Sequence, residues 1–463
     1  MARRSTCIRM EIISIIPLFA CLVAVFTRGT RFALQSVVLP AMLLLPTYYF
    51  WTARPLPSIN FLDAAFLGLG IGMAWLDLPR WRFARSDAWM AIFLLSVGYA
   101  DRAGGRITDS YFIWFNALVT ALVPYMAGKL LMEHKNSRVE TSRRIVWLMV
   151  AAAVVSTWEY VFKNNPFARM WNHFYPSQWS GWVTQIRWGF GRVAGPFAQS
   201  ELAGIVFSFG FLLALWLAKT KYEERYGRVV IPTRLERAKW AIGGLLVILF
   251  MTQARGPWIG TILALCVASI GRAKNARRRA ILVVGLLVGI GTPTYIVSKA
   301  YISGPRVDYG SERETAQYRA ELLDNYIPVA QQGGAWGWGG VFPRIHGQTS
   351  IDNQYLFVWV TQGYVGGISF CLLLLEAGIA LIGQAVRVKT TQDRHFVLTL
   401  FGILVGFAFI IATVFLGAQS YPLFFFLIGW AQAVGAVRFP AKRLGQGETA
   451  KTVVPPAMIR IYT

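Results

Sequence analysis

Residues 239–272 read KWAIGGLLVILFMTQARGPWIGTILALCVASIGR, two apolar runs joined by a short polar turn. Each run approaches the length of about 20 residues with which an α-helix crosses the hydrocarbon core of a membrane. The pattern recurs along the whole chain. Of its 463 residues, 55% are hydrophobic and 15% are charged, whereas a soluble protein carries about 25% charged residues. This composition predicts a membrane protein and excludes the disordered, collagen-like and disulfide-scaffold classes.

The apolar runs predict an all-α fold, a polytopic membrane helical bundle of about twelve crossings with a large loop on its outer face. The runs lie at 12–26, 33–51, 58–75, 112–132, 144–163, 200–218, 239–251, 256–271, 280–297, 364–384, 396–416 and 420–437. Long hydrophilic stretches at 164–199 and 298–363 are expected on the outer face. The four cysteines show no CxxC spacing and predict neither disulfides nor zinc.

Lys and Arg outnumber Asp and Glu by 46 to 22, which gives a net charge of +24. In a soluble protein this excess would suggest nucleic acid as a partner. Here it sits in short loops between apolar runs, at 133–144, 219–239, 272–279 and 386–395, where Lys and Arg mark the cytoplasmic side and face anionic lipid headgroups. We therefore expect membrane lipids as partners and no nucleic acid.

The basic start of the chain, followed by an apolar run without a small-residue cleavage site, predicts an uncleaved first helix. A further apolar run, 88–100, is short for a crossing. If both ends of the chain are cytoplasmic, the number of crossings is even. The expectation is then that 88–100 is an interfacial or re-entrant piece, which leaves Arg80, Arg82 and Arg85 outside.

Two stretches on the expected outer face have the character of an anion site. In the turn 252–258, Pro257 suits the first turn of a helix, so the helix begins beside Arg255. Arg187 and Arg192 likewise precede a helix start near Ser200. Free N–H groups at helix starts and the forked donors of arginine together suit a diphosphate. The alternative is that these arginines only reach toward lipid headgroups.

The longest outer loop holds the candidate proton acceptors Asp352 and His346. Asp352 has the better position, since residues 353–362 can form a short helix at the membrane surface; the alternative is that Asp352 merely caps this helix. Aromatic residues in 158–190 suit either sugar stacking or, as the better interpretation, an interfacial belt. No histidine pair has metal-ligand spacing, and we expect neither a metal nor another cofactor.

Three ordered stretches of the chain form one set. They are GRVAGPF at 191–197 followed by SELA at 200–203; TQARGPW at 252–258; and Tyr318-Arg319, Gly337-Trp338-Gly339 and DNQYL at 352–356, continuing through QGYVG at 362–366. This set resembles the O-antigen ligase and Wzy-type polysaccharide polymerase superfamily of bacterial inner-membrane glycosyltransferases. One departure is that Asp352 occupies the position where ligases usually have histidine. This tilts the interpretation toward a polymerase or exopolysaccharide-type member.

The resemblance implies a GT-C-like bundle that transfers a glycan from an undecaprenyl diphosphate carrier to an acceptor glycan or lipid hydroxyl. It implies the following residue roles. Asp352, Arg255 and Arg192 are catalytic; Arg187, Arg319, His346 and Asn353 bind substrate. The corresponding division of the chain is 1–163 N-terminal crossings, 164–199 periplasmic loop, 190–385 signature region including the periplasmic loop 298–363, 386–437 C-terminal crossings and 438–463 cytoplasmic tail.

We expect a multi-pass protein of the bacterial inner membrane whose active site faces the periplasm, with a chain-length regulator as a further partner. A lipid-linked glycan flippase or polysaccharide exporter is the rival interpretation. Transporters place ionisable residues at the membrane midplane, whereas here such residues are scattered and the arginines gather at one face. The sequence does not separate polymerase from ligase.

Overall fold

The computed structural model describes residues 11–52, 55–133, 137–176, 178, 183–219, 239–272, 312–346, 348, 350–388 and 390–436. The predicted crossing 280–297 and the predicted tail 438–463 lie outside these residues. The described part of the chain is predominantly helical, and its strands are confined to two short hairpins. The all-α class predicted from the apolar runs is therefore confirmed.

The main helices are α1 Ile12–Arg28, α2 Thr30–Leu44, α3 Phe61–Leu76, α4 Arg85–Ala103, α5 Ile107–Ala117, α6 Val123–Leu131, α7 Ser137–Phe162, α8 Pro166–Asn172, α9 Ser200–Lys219, α10 Lys239–Met251, α11 Arg255–Arg272, α12 Glu312–Gln332, α13 Gln354–Arg387, α14 Thr391–Ile410 and α15 Ser420–Ala436. A π-turn, Leu118–Leu122, joins α5 to α6. The hairpins pair β1 Phe50–Trp51 with β2 Ile59–Asn60, and β3 Ile186–Arg187 with β4 Phe190–Gly191; both are antiparallel.

Five of the described helical segments are long and apolar enough to cross a membrane. They are Asp109–Leu131, Ser137–Phe162, Ser200–Ala218, Gln354–Arg387 and Thr391–Ile410. Six further apolar helices have 10–17 residues, which at 1.5 Å per residue is short of the roughly 30 Å hydrocarbon core. The chain is a multi-pass membrane protein, and the number of about twelve crossings stays a prediction.

Contacts at one end of the bundle define a face that we call the basic face. Arg138, near the start of α7, pairs with Glu133, and its other nitrogen lies 3.0 Å from Asp393 near the start of α14. Trp430 of α15 donates to Glu133 at 2.9 Å. Because these residues flank two of the predicted basic loops, those loops share one face, as their charge indicates.

The opposite end of the bundle is the site face. Gln419, just before α15, donates to the carbonyl oxygens of Leu45 and Pro196 at 3.0 and 2.9 Å. Gln354, at the start of α13, donates its backbone N–H to Ile411 at 2.8 Å, after the end of α14. Segments from both halves of the chain therefore meet at this face.

The segment 88–100 is not an interfacial or re-entrant piece. It lies within α4, a helix of 19 residues that rises about 28 Å. Asp87 binds Lys129 at 2.5 Å toward the basic face, whereas Asp101 accepts the backbone N–H of Gly340 at the site face. The apolar run is short because charged residues flank it, and ion pairs with Lys129 and Arg106 neutralise the carboxylates among them.

The direction of the first helices is also the reverse of the prediction. Tyr175 donates to the carbonyl oxygen of Glu11 at 3.4 Å, which puts the start of α1 at the site face. Since α4 adds one traverse of the bundle, every helix before it runs opposite to the expected direction. Arg80, Arg82 and Arg85, the first residue of α4, consequently lie toward the basic face, whereas the prediction put them on the face opposite the basic loops.

Small residues let the helices that carry the site pack closely. A Cβ on Gly406 of α14 would lie 2.7 Å from the carbonyl oxygen of Gly260 in α11, and a Cβ on Gly204 of α9 would lie 2.7 Å from Pro257. Such approaches are how helices associate within a lipid environment. They hold α11, whose first residue is Arg255, between α9 and α14.

Candidate functional site

The turn between α10 and α11 presents Arg255 at a helix start. Gln253 has a left-handed backbone (φ 51°), which ends α10 and redirects the chain. Trp258 donates its indole N–H to Leu249 at 2.8 Å and closes the turn from the other side. Helix α11 begins at Arg255, which is exposed, and Pro257 lies in its first turn. The predicted helix start beside Arg255 is confirmed.

A buried carboxylate, Glu159 near the end of α7, holds the neighbouring loop. It accepts the backbone N–H groups of Ala194 and Gly195 at 2.9 and 2.8 Å. It also accepts Thr184 Oγ1 at 2.8 Å and Asn165 Nδ2 at 3.3 Å. With four donors on one fully buried side chain, the loop after β4 has a defined position against α7.

Glycine is required at two positions of this loop. Gly195 has φ +59°, and a Cβ there would overlap the hydroxyl of Ser156. At Gly191 a Cβ would overlap the carbonyl oxygen of Glu159. The loop can therefore lie flat on α7 only with these two glycines, which explains the glycine spacing of its motif.

Backbone and side-chain bonds join this loop to the α10–α11 turn. Val193 donates its N–H to Met251 at 3.2 Å, and Arg187 donates Nη1 to the carbonyl oxygen of Gln253 at 2.9 Å. The two helix starts that the sequence predicted as one anion site are therefore neighbours in the fold.

Arg192 lies beneath this surface. It is 7% exposed, pairs through Nη2 with Glu201 at 2.5 Å, and donates Nη1 to Gln185. Its Nε is buried without a hydrogen-bond partner. Glu201 is in the first turn of α9, so that helix start already holds a carboxylate beside Arg192. Because its nitrogens mostly bond to Glu201 and Gln185, Arg192 contributes mainly positive charge to the surface above it, and few hydrogen-bond donors.

Four guanidinium groups converge at this place, and we call them the arginine cluster: Arg187, Arg192, Arg255 and Arg319. Burial lowers the pKa of Arg187, and the positive charges of Arg192, Arg255 and Arg319 lower it further, while Glu201 acts in the opposite direction. One carboxylate among these charges leaves a net positive field. The cluster is suited to bind an anion with several negative oxygens.

Arg319 reaches the cluster from α12, an element that the sequence analysis did not predict. Two residues near Arg319 anchor this helix. Leu322 is buried in a small apolar core, and Tyr318 donates its hydroxyl to the carbonyl oxygen of Ser350 at 2.7 Å. Ser350 in turn donates to Asp352 Oδ1 at 2.8 Å. Asp352 is thereby tied to the helix that carries Arg319.

Asp352 is half-buried and does not cap the next helix. Asn353 is the N-cap residue of α13, because its side chain accepts the backbone N–H of Leu356 at 3.1 Å. The alternative role considered for Asp352 is therefore wrong. In the described part of the chain Asp352 forms no ion pair with an arginine, so its carboxylate is held by Ser350 alone. His346 is exposed at the surface of the same loop.

The short helix expected at 353–362 is present as the first part of α13. The helix breaks at Gly363 (φ 65°, ψ −162°), a conformation open almost only to glycine. The turn at residues 337–340, which we call the glycine turn, lies against this break. In it, the backbone N–H groups of Trp338 and Gly339 donate to the carbonyl oxygens of Val360 and Thr361 at 3.0 and 2.8 Å. Arg106 holds this turn to α4 through the carbonyl oxygen of Trp338 at 3.0 Å.

Two aromatic residues of 158–190, Trp188 and Phe190, belong to the hairpin that carries Arg187, whereas Trp171 and Tyr175 pack against Phe61. Phe190 stacks on Tyr160 with ring centroids 4.6 Å apart, and Trp188 lies 6.4 Å from Trp258. Trp188 and Phe190 are exposed. Both interpretations of these aromatics, an interfacial belt and a sugar-stacking surface, remain open.

Sequence reasoning missed Glu159 and the unpartnered amide of Gln253, whose side chain is buried with neither its oxygen nor its nitrogen in a hydrogen bond. One pattern could have found Glu159: it is an ionisable residue inside the apolar run 144–163, and such residues in candidate crossings are functional more often than not. Gln253 shows no such signal, because its burial depends on neighbours from other helices.

Fold and site together define a multi-pass helical membrane protein with a cluster of four arginines at one face. Comparison with known families adds that residues 240–371 match the family model described as O-antigen ligase. The chain carries an O-antigen ligase domain, which supports membership of the O-antigen ligase and Wzy family and confirms the resemblance. No curated protein matches the chain. Arg255, Arg319, His346, Asp352 and Asn353 lie inside the matched range, whereas Arg187 and Arg192 lie before it.

Proposed function

We propose that this protein is a glycosyltransferase that moves a glycan from an undecaprenyl diphosphate carrier to an acceptor hydroxyl. A polysaccharide polymerase of Wzy or exopolysaccharide type, or an O-antigen ligase, is the specific activity. One observation carries the proposal: Arg187 bonds the turn before α11 and interacts electrostatically with Arg192, Arg255 and Arg319, within and beside an O-antigen ligase domain.

The arginine cluster would bind the carrier's diphosphate and stabilise it as the leaving group. When the bond between the sugar's anomeric carbon and the phosphate oxygen breaks, negative charge grows on the diphosphate. Arg255 is exposed at a helix start, where backbone N–H groups and the helix dipole add to its own charge. Preorganised charge of this kind lowers the barrier most where charge develops.

Arg187 and Arg319 would complete the diphosphate site, and Arg192 would support it from below. Because Arg192 is buried and paired with Glu201, we assign it a positioning role together with a share of the positive field. Guanidinium groups would thus supply the neutralisation that a divalent metal supplies in other diphosphate-using enzymes, and the proposed reaction needs no metal.

Asp352 would accept the proton of the attacking hydroxyl. In the proposed step the acceptor oxygen forms a bond to the anomeric carbon while the bond to phosphate breaks, and the electron pair leaves with the diphosphate. The hydroxyl proton passes to the Asp352 carboxylate, so charge and atoms balance. A direct displacement inverts the anomeric configuration. His346 and Asn353 stay proposed substrate contacts, and for Asn353 the capping bond to Leu356 is an additional role.

We further propose that the site face is periplasmic in the bacterial inner membrane. The basic face holds the ends of loops rich in Lys and Arg, which is the pattern of cytoplasmic loops. The partners would be a lipid-linked glycan, an acceptor glycan or lipid, and a chain-length regulator.

The proposal is tested with purified protein in liposomes that contain a lipid-linked oligosaccharide. Wild-type protein should release undecaprenyl diphosphate and lengthen or transfer the glycan. Arg255→Ala should lower the initial rate about 10²–10³-fold, which is the range for removing one donor from such a charge-stabilising site. Product is measured by chromatography of the labelled glycan.

Arg169→Ala is the matched control, because Arg169 is an exposed arginine on α8, away from the arginine cluster. It should stay within about twofold of wild type. Wild-type activity in Arg255→Ala, with normal protein levels in the membrane, would remove Arg255 from the site. Movement of the intact lipid-linked glycan across the bilayer without a new bond would instead support a flippase.

A further inference from the structure

A second site-face feature is a cavity of about 600 Å³ between the two halves of the chain. From the N-terminal half, α3, α4 and α5 line it, through residues such as Asp63, Asp101 and Asn116. From the other half, the short first part of α13 lines it through Gln354, and the glycine turn through Gly340. Its size is within the range of pockets that hold small organic ligands.

The polar groups of this cavity differ from those of the arginine cluster. Asp63 and Asp101 are both buried carboxylates, and no Lys or Arg belongs to the described lining residues. Arg106 pairs with Asp101 at 2.6 Å from outside the lining. With Arg106 engaged by Asp101, the described lining offers a diphosphate no cationic side chain, so the carrier's charged group is not a plausible occupant.

The remaining lining groups suit a hydroxyl-rich molecule. Side-chain amides and hydroxyls of Asn116, Thr120, Gln354 and Gln362 share the wall with the rings of Phe357 and Phe415, whose centroids lie 4.7 Å apart. Carboxylates and amides accept and donate hydrogen bonds to neutral hydroxyls, and aromatic faces cover the apolar faces of a sugar ring. A few polar groups within a mainly apolar wall are typical of a built ligand site.

We propose that this cavity is the binding site of the acceptor glycan, a neutral polyhydroxylated saccharide. The inference rests on the proposed function and names where its second substrate is held. Gln354, in the cavity wall, is two residues from Asp352, the proposed proton acceptor. A saccharide bound in the cavity would contact the start of α13, next to Asp352. The diphosphate would stay at the arginine cluster.

A consequence is that residues outside the matched domain take part in choosing the acceptor. The lining contributed by α3, α4 and α5 comes from positions 62–117, far before residue 240 at which the O-antigen ligase match begins. The domain would then supply Arg255 and Arg319 to the diphosphate site, and the N-terminal half would add residues that select the glycan.

The experiment measures saccharide binding without any transfer step. The probe is an oligosaccharide released by mild acid from the surface polysaccharide of the source cells, reduced at its end so that it cannot act as donor, and labelled with a fluorophore. Its equilibrium binding to full-length protein in nanodiscs is compared between Asn116→Trp, which fills the cavity mouth, and Leu118→Trp. Leu118 lies two residues further along and is exposed outside the cavity.

We expect Asn116→Trp to weaken oligosaccharide binding at least tenfold, about 1.4 kcal/mol, while Leu118→Trp stays within about twofold. Asp63→Asn, which keeps the side-chain volume, should weaken binding several-fold and guards against a folding defect in the tryptophan variant. Binding of undecaprenyl diphosphate should be unchanged in all three. Unchanged oligosaccharide binding in Asn116→Trp and Asp63→Asn, or displacement of the oligosaccharide by undecaprenyl diphosphate, overturns the proposal.

The two proposals fail in different ways. Wild-type protein that binds the oligosaccharide in the cavity but makes no product from lipid-linked donor retains the cavity assignment and contradicts the glycosyltransferase. Wild-type protein that transfers glycan while Asn116→Trp binds the oligosaccharide normally retains the enzyme and contradicts the cavity.

Discussion

The arginine cluster and the cavity share a wall but differ in chemistry. The connection between α14 and α15 contacts the arginine side, where Gly256 approaches Thr413 and Gln419 donates to Pro196. The same connection lines the cavity at 415–418. On one side guanidinium groups gather around a single carboxylate, and on the other two buried carboxylates lie among amides and aromatic rings. A reaction between a charged lipid carrier and a neutral sugar needs two such environments next to each other.

The largest expected effect is at Asp352, the proposed proton acceptor. Asp352→Asn keeps the shape of the side chain but removes its basicity, so the transfer rate should fall about 10²–10⁴-fold. Binding of both undecaprenyl diphosphate and the oligosaccharide should stay within about twofold, since neither region loses a binding group. Rates and the two binding constants are measured on the same nanodisc preparation.

Asp324→Asn is the matched control for this prediction, because Asp324 is an exposed carboxylate on α12. A rate loss of the same size in both variants would show that the charge of the loop matters and the position of Asp352 does not. Loss of binding in Asp352→Asn would assign it to one region and break the comparison.

The next largest effect separates the arginine side from the cavity. Glu159→Ala leaves four donors, including the N–H groups of Ala194 and Gly195, without their acceptor, and each buried unsatisfied group costs about 1–3 kcal/mol. The loop that carries Arg192 should loosen, and binding of undecaprenyl diphosphate should weaken roughly 10–100-fold at constant oligosaccharide binding, as one or two lost contacts imply. The measurement is titration of both ligands, with thermal unfolding to follow stability.

Glu140→Ala on the same helix serves as the comparison variant. Its carboxylate is 60% exposed and pairs with Arg31 at the basic face, and exposed ion pairs contribute only about 0–1 kcal/mol. Equal losses of oligosaccharide and diphosphate binding in Glu159→Ala would mean general unfolding and not a local effect on the loop.

The smallest expected effect is on the cavity side. Gly363→Ala places a Cβ on a residue with φ +65° and against the backbone of Ala335 and Gly337. The glycine turn and the first part of α13 should separate slightly, which weakens oligosaccharide binding about five- to tenfold, or about 1 kcal/mol. Undecaprenyl diphosphate binding should not change.

Gly367→Ala, one turn further along α13, has ordinary contacts 3.7 Å from Trp359 and should behave as wild type. If Gly363→Ala weakened only diphosphate binding, the break in α13 would belong to the arginine side, and the assignment of the two regions would have to be exchanged.

Local patterns predicted several parts of the fold and of the site. Pro257 with the preceding arginine predicts a helix start, and the structure has one at Arg255. Residues 353–362 form a short helix as expected, because capping by Asn353 and the break at Gly363 depend on backbone conformation within a few residues. The neighbouring positions of Arg187, Arg192 and Arg255 also agree with the prediction that two helix starts share one face.

Other parts depend on contacts between distant residues. The extent of α4 was underestimated, because Asp87 and Asp101 interrupt the apolar pattern and only Lys129 and Arg106, from other positions, neutralise them. The role of Glu159 depends on donors up to 36 residues away. The cavity exists only where α3, α4 and α5 meet α13, so no single stretch of sequence contains it.

The amino-acid sequence by itself determined three features. The chain crosses a membrane with helices, two of its basic loops lie at the same face, and particular arginines precede helix starts. These features follow from hydropathy, charge and residue conformation, and all three act over a few residues. Tertiary structure alone decided the direction of the first helices, the four hydrogen bonds that Glu159 accepts, and the cavity beside the arginine cluster. These depend on packing and on paired charges between segments far apart in the chain, which leave no pattern in either segment alone.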